Sequence, residues 1–371
     1  MKYYLIAGEA SGDLHGANLM KALKELDKNA EFRFFGGDLM QAQGGTCDKH
    51  YSEMAFMGFI EVLANLRTIA KNLKLAKQSV QDYQPDALIL VDFPGFNLKI
   101  AEYAKKLGIP VHYYISPKVW AWNQKRVLKI KKVVDRLYCI LPFEVDFYKS
   151  WGMEVDYVGN PLMDAIAAYR FNPDFRKTHQ LDNRPILALL PGSRKMELKH
   201  ILPVMLASAD RFPDCQVVIA GAPNFTPDDY APYLADRKLP IVFNATYDLL
   251  KNAQAALVTS GTATLETALL NCPQVVLYRG SKISVAIARL LVKIRFISLV
   301  NLIMDREVVR ELIQEEANPD QIADELKLII NNSESRKQML VNYKELAQKV
   351  GPAGASERTA ALIQKYLRNS N

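Results

Sequence analysis

Gly8-Glu9-Ala10-Ser11-Gly12-Asp13 follows directly on an apolar run, Tyr3 to Ala7, and precedes a segment with leucines at helical spacing, Leu19, Leu23 and Leu26. The run predicts a short buried strand, and the leucines a helix over His15 to Leu26. A strand, a tight loop and a helix start form the usual ligand-binding corner of an open parallel sheet. A dinucleotide loop would carry glycines where Glu9 and Asp13 stand, so that backbone N–H groups could approach a pyrophosphate. Two carboxylates repel that group. Two readings stand at this corner. In one, Glu9, Ser11 and Asp13 bind the hydroxyls of a sugar. In the other, Asp13 caps the helix and Glu9 is a solvated loop residue.

The alternation continues along the chain. Glu31 to Phe35, Ala87 to Val91, Val111 to Ile115 and Arg136 to Leu141 read as strands, with helices over Ile60 to Val80 and Leu98 to Leu107. Continuous rather than alternating apolar strands predict a parallel sheet covered on both faces. The polar stretch Ala167 to Arg184, with Pro173 and Pro185 as breakers, reads as a domain boundary. Beyond it the pattern restarts, with strands at Ile186 to Leu190, Gln216 to Ala220, Ile241 to Asn244, Ala255 to Val258 and Gln274 to Tyr278. The predicted class is α/β, two Rossmann-like doubly wound domains over 1–170 and 185–350 facing a central cleft, with ligands at the strand carboxyl ends. Gly351-Pro352-Ala353-Gly354 interrupts the chain before a final helix over 355–367, which is expected to pack back on the first domain.

Bulk properties narrow the class. With 371 residues, 49% of them hydrophobic and 23% charged, the chain suits two globular domains, each with its own core. No run reaches the roughly eighteen uncharged apolar residues that span a bilayer. The nearest, Ser284 to Met304, is broken by Arg289, Lys293 and Arg295. The apolar start is interrupted at Glu9, so no signal peptide is expected. Cys47, Cys139, Cys215 and Cys272 lack metal or redox spacing, which suits a cytoplasmic, disulfide-free protein. The net charge of +7 and pI near 9.0 favour an anionic partner. The cations are dispersed over both halves without any nucleic-acid-binding module, so no nucleic acid is expected.

Candidate chemistry sits at strand ends. Ile186 to Leu190 ends in Pro191-Gly192-Ser193-Arg194, a small-residue loop whose guanidinium suits phosphate; Glu197 follows in the same stretch. Ala255 to Val258 ends in Thr259-Ser260-Gly261-Thr262-Ala263-Thr264-Leu265-Glu266. Hydroxyls and free N–H groups at that helix start suit an anion, and Glu266, one turn in, suits a ribose. Singly, each is an ordinary helix cap. Two such loops at one end of one sheet favour a nucleotide diphosphate in the second half. There is no Asp-x-Asp and no His/Cys cluster, so neither a metal nor another cofactor is expected, and the helix dipole with Arg194 must stabilise the leaving group.

In the first half, Asp92 ends a buried strand in Asp92-Phe93-Pro94-Gly95-Phe96-Asn97. It is either a cap, the commoner role, or a general base on an acceptor hydroxyl, with Glu9 as the rival base. Asn97 belongs to the same acceptor corner. Ser116-Pro117-Lys118-Val119-Trp120-Ala121-Trp122 with Lys125-Arg126 sets aromatics beside cations; Trp120, Lys125 and Arg126 are the candidate sugar and phosphate contacts. Ile60 to Val80 carries Leu63, Leu66, Ile69 and Leu73 on one face and Arg67, Lys71 and Lys74 on another, after the apolar Met54-Ala55-Phe56-Met57-Gly58-Phe59. This is either a helix packed on its own sheet or a membrane-surface patch centred on Phe56, Met57, Phe59, Leu63 and Leu66.

AGEASGD at Ala7 to Asp13, MGFIEVL at Met57 to Leu63, VDFPGFN at Val91 to Asn97 and YISPKVWAWNQKRV at Tyr114 to Val127 form a series. LPFE at Leu141 to Glu144, LPGSRKMEL at Leu190 to Leu198, SGTATLE at Ser260 to Glu266 and SLVNLIMDREVVRELIQEE at Ser298 to Glu316 continue it. In this order they resemble the lipid-A-disaccharide synthase family, inverting glycosyltransferases of GT-B architecture. Two departures show. The family's Gly-His-Pro is Gly159-Asn160-Pro161 here, and Gly95 replaces the second Asp of its Asp-x-Pro-Asp loop. The resemblance implies transfer of 2,3-diacylglucosamine from UDP-diacylglucosamine to the 6-hydroxyl of diacylglucosamine 1-phosphate, giving the lipid A disaccharide and UDP. It adds Asn301 to the donor residues. It further implies lipopolysaccharide synthesis in a Gram-negative bacterium, peripheral association with the inner-membrane surface and a homodimer. The alternative is another UDP-sugar enzyme of the same fold, an N-acetylglucosamine 2-epimerase or a peptidoglycan glycosyltransferase.

Overall fold

The computed structural model describes residues 1–54, 65–280, 294–331 and 333–370. The chain forms two compact units: Met1–Ala165 together with Pro352–Asn371, and Ile166–Gly351. Among its described residues the first holds seven strands, β1 (Lys2–Ala7), β2 (Glu31–Gly36), β3 (Thr46–His50), β4 (Ala87–Val91), β5 (Val111–Tyr114), β6 (Arg136–Cys139) and β7 (Asp156–Tyr157). They pair in parallel in the order β3-β2-β1-β4-β5-β6-β7.

Successive side chains of a strand point to opposite faces, and here both faces are buried. Tyr4, Ile6, Leu88, Leu90, Val111 and Tyr113 meet Ala76, Val80, Ile100 and Ile130 from the helices Leu66–Tyr83, Pro94–Lys106 and Val127–Val133. Tyr3, Leu5, Ile89, Val91 and Tyr114 meet Leu19 and Leu23 of the helix Ala10–Leu26, and Ala360, Ile363 and Leu367 of the helix Ala355–Ser370. The last helix is tied down by polar contacts as well. Asp164 accepts from the amides of Gly354 and Ala355, Arg358 Nε donates to the Val158 carbonyl at 2.7 Å, and Gln364 donates to the Tyr3 hydroxyl.

The second unit holds β8 (Ile186–Leu190), β9 (Gln216–Gly221), β10 (Ile241–Phe243), β11 (Ala253–Thr259), β12 (Gln274–Tyr278) and β13 (Glu311–Ile313), parallel in the order β10-β9-β8-β11-β12-β13. The polar stretch from 166 to 184 is part of this unit rather than a linker. Phe175 is buried in its core, and Asp248 accepts from the Tyr169 hydroxyl at 2.7 Å and the Asn172 amide at 2.8 Å. In both sheets the strand order reverses beside the first strand, between β1 and β4 and between β8 and β11. These are the positions where open α/β sheets bind ligands. No helix among the described residues is long and apolar enough to cross a membrane.

Candidate active site

At the first switch point Ala7 of β1 lies opposite Val91 of β4, so Gly8-Glu9 and Asp92-Phe93 emerge side by side. Asp92 and Phe93 both take left-handed backbone, φ 44° and 49°, and Ile115 past β5 does the same at φ 65°. Such conformations cost about 1–3 kcal/mol each and persist only where surroundings enforce them. The enforcing contacts are visible. Asn97 Nδ2 donates to the Asp92 carbonyl at 2.8 Å, the Tyr113 hydroxyl donates to the same oxygen, and the Asp92 amide continues the ladder to Tyr114. The Phe93 ring covers Gly8 so closely that a Cβ there would lie 2.3 Å from it. The Asp92 carboxyl is pushed upward in pKa first by burial; Lys118 favours its charged form, and Glu9 opposes it. Glu9 is exposed at the start of the helix Ala10–Leu26 and makes no capping hydrogen bond; Ser11, two residues on, is exposed as well.

Several expected acceptor contacts have other work. Asp13 is 3% exposed and does not cap its own helix, whose first turn it occupies. Its Oδ1 accepts from the amides of Gly37 at 2.7 Å and Met40 at 3.1 Å, and its Oδ2 from Leu39 at 3.0 Å. The carboxylate therefore satisfies the exposed end of the next helix, Asp38–Ala42. Asn97 is fully buried as the bracket just described. Trp120 is buried too, its Nε1 donating to Glu144 Oε1 at 3.1 Å and its ring standing edge-on to Phe143. The aromatic that reaches solvent is Trp122, 53% exposed, with the Arg126 guanidinium 5.1 Å from its ring centre; Lys125 is exposed beside it. Asn160, at the departure from the family's histidine, donates to the Ile140 carbonyl and accepts from the Leu162 amide.

At the second switch point the loops after β8 and β11 stand next to each other and lead into the helices Lys195–Ala209 and Thr262–Leu269. The Arg194 side chain is 71% exposed, and the Ser193 and Thr262 side chains are also open. Gly261 is exposed, with room for a ligand where a Cβ would stand. Glu266 is half-buried, accepts from the Tyr247 hydroxyl at 3.0 Å, and has its pKa raised by burial. Glu197 shapes the loop: its Oε2 accepts from the Ser193 and Arg194 amides at 2.9 and 3.1 Å. Ser260 donates to the Ile297 carbonyl, and Thr264 to that of Gly261. Asn301 is buried and saturated, donating to Val309 and Glu311 and accepting from the amides of Val308 and Val309. Buried polar groups must be paired, and small hydroxyls and amides near turns are the cheapest partners for backbone groups. Of the expected membrane patch, Phe56, Met57, Phe59 and Leu63 lie outside the described residues; Leu66 opens the helix Leu66–Tyr83 and is exposed.

A family model described as lipid-A-disaccharide synthetase matches residues 3–365. The lipid-A-disaccharide synthase of Trichlorobacter lovleyi is 39% identical over 374 residues, 99% of this chain and 97% of that relative. That of Myxococcus xanthus is 39% identical over 377 residues, 98% and 97% of the two chains. The chain belongs to the lipid-A-disaccharide synthase family. It is a glycosyltransferase of lipid A biosynthesis. Solved structures with the same fold include the UDP-GlcNAc 2-epimerase of Neisseria meningitidis bound to UDP-GlcNAc, TM-score 0.66 at 13% identity, covering 100% of each chain. The UDP-GlcNAc 2-epimerase of Methanocaldococcus jannaschii matches with TM-score 0.64 at 16% identity, over 99% of this chain and 100% of that one. Those likenesses speak for the GT-B architecture alone. Two side chains of this synthase family member went unassigned in the sequence: Lys118, whose charge acts on Asp92, and Glu144, which accepts from Trp120. Both sit in stretches already picked out, SPKVWAW and LPFE, and only tertiary placement shows what they face.

Proposed function

We propose that the two switch points divide the work of an inverting transfer. In the second unit the loops after β8 and β11 hold the UDP diphosphate. Arg194 meets the charge that grows on the leaving phosphate, the exposed N–H groups of the helix Thr262–Leu269 add to it, and Glu266 accepts from the ribose hydroxyls. In the first unit Asp92 takes the proton from the 6-hydroxyl of diacylglucosamine 1-phosphate as that oxygen attacks the anomeric carbon of UDP-diacylglucosamine. Inversion needs one base and no enzyme nucleophile. The observation that carries this reading is the Asp92 carboxyl itself: held by enforced left-handed backbone at the switch point, with its proton affinity raised by burial. Glu9 is exposed at the neighbouring strand end. It tunes Asp92 by its charge.

The test measures turnover and UDP affinity together. Asp92→Asn is expected to lower kcat by about 10²–10⁴-fold with UDP affinity retained. Arg194→Ala is expected to lower kcat/KM by about 10²–10³-fold and to weaken UDP binding as well. Full turnover in Asp92→Asn with loss in Glu9→Gln would exchange the two roles.

The exposed Leu66 with Arg67, Lys71 and Lys74, exposed on the same helix, supports docking on an anionic membrane surface, where both acylated substrates would reside. Co-sedimentation with anionic vesicles is expected to fall with salt and in Leu66→Ser/Lys71→Glu. Binding unchanged in both experiments would dismiss the surface.

A further inference from the structure

The helix Phe143–Ser150 follows β6 and carries two buried polar side chains one turn apart, Glu144 and Tyr148. Both reach the loop that follows β5. The Tyr148 hydroxyl pairs with Ser116 Oγ at 2.8 Å. Glu144 Oε1 receives Trp120 Nε1, while its Oε2 accepts from the amides of Leu141 and Ile140 at 3.1 and 3.3 Å. Three N–H donors thus converge on one carboxylate that is 1% exposed and lacks any cationic partner among them. Burying a carboxylate away from any cation is costly, and the three N–H groups it satisfies are what offset that cost. Between the two anchors stands Lys118, exposed while Pro117 and Val119 on either side are buried, and its charge acts on Asp92.

We propose that Glu144 is a positioning residue for the transfer: by clamping Trp120 while Tyr148 clamps Ser116, it fixes the loop that sets Lys118 against Asp92 and presents Trp122 to solvent. The inference rests on Asp92 as the base. The titrating and charged groups around Asp92 are Lys118, Glu9 and the Tyr113 hydroxyl; those around Glu144 are Cys139, Tyr148 and Tyr157. Gln in place of Glu144 offers one acceptor oxygen and turns two N–H donors toward donors, so it cannot hold both Trp120 and the 140–141 amides.

Two readouts test this. The chain has three tryptophans, so Trp122→Phe/Trp151→Phe leaves Trp120 as the sole tryptophan, excited at wavelengths that tyrosine does not absorb. Adding Glu144→Gln should shift its emission to the red and raise acrylamide quenching about twofold or more, without substrate. In the chain with all tryptophans, Glu144→Gln should move the acid limb of kcat upward by about 0.5–1 pH unit, because Asp92 loses part of its cationic neighbour. Lys118→Met should move it the same way, and the double variant no further than Lys118→Met alone. A folded Glu144→Gln with Trp120 still shielded and the limb in place overturns the proposal. If Trp120 opens but neither variant moves the limb, Asp92 falls as the base. Glu144 then keeps its role only if kcat/KM for the acceptor drops at least tenfold; otherwise it is overturned too. Should Glu144→Gln not fold, Trp120→Phe removes the clamp from the other side and is expected to move the limb equally; no movement overturns the proposal.

Discussion

Asp92 combines three properties at one residue: burial, an enforced left-handed backbone, and opposed neighbours in Lys118 and Glu9. Its pKa is raised, so at low pH it holds a proton and cannot act as a base, and the activity should rise as pH climbs through that value. Glu9 is one cause of the rise. Removing its charge in Glu9→Gln is expected to lower the pKa of Asp92 and slide the acid limb of kcat to lower pH, by about half a unit, with turnover at the plateau largely kept. A limb that moves up, or a plateau that collapses, would mean that Glu9 takes part in the proton transfer itself. The place of this residue was legible in part, since a carboxylate ending a continuous apolar strand must emerge at the carboxyl edge of a parallel sheet; that this edge is a switch point follows from the strand order. Its neighbour Lys118 was not legible, because twenty-six residues and a whole helix separate them along the chain.

At the scale of elements, the loops after β2 and β8 are each held by a carboxylate. Asp13 holds three amides of the turn into Asp38–Ala42, and Glu197 holds two of the turn into Lys195–Ala209. A Cβ at Gly192 would lie 2.2 Å from Glu197 Oε2, and its φ is 98°, so both that carboxylate and the left-handed backbone call for glycine there. Asp13→Ala strands three N–H groups, two of them in buried contacts, and is expected to cost about 3 kcal/mol in denaturant unfolding. A cost below about 0.5 kcal/mol would mean that water replaces the carboxylate freely. Motif reading took Asp13, Asn97, Glu197, Ser260, Thr264 and Asn301 for ligand contacts. The side chains that touch a ligand and those that shape its loop occur together in one motif, and both must be small and polar. Periodicity did place the long strands. It passed over β3, β7 and β13, which lie at or near sheet edges and are short or polar, as edges are.

The whole molecule is not two beads in sequence. The helix Ala355–Ser370 covers one face of the first sheet and buries Ala360, Ile363 and Leu367 there, although the entire second unit separates it from β7. Ending the chain at Gly351 is expected to uncover that face. Amide exchange should then lose protection in β1 and β4 while β8 and β11 keep theirs; equal loss in both units, or in neither, would contradict the division. The same arrangement has a consequence for how the protein is made. A ribosome makes the strands of the first sheet early, yet their core lacks its last wall until the helix Ala355–Ser370 has been synthesised and has cleared the exit tunnel. The second unit, complete once Gly351 emerges, can therefore reach its native state before the one that began synthesis. Through that interval the nascent sheet bearing Asp92 keeps an uncovered apolar face, so the order of synthesis and the order of folding run in opposite directions.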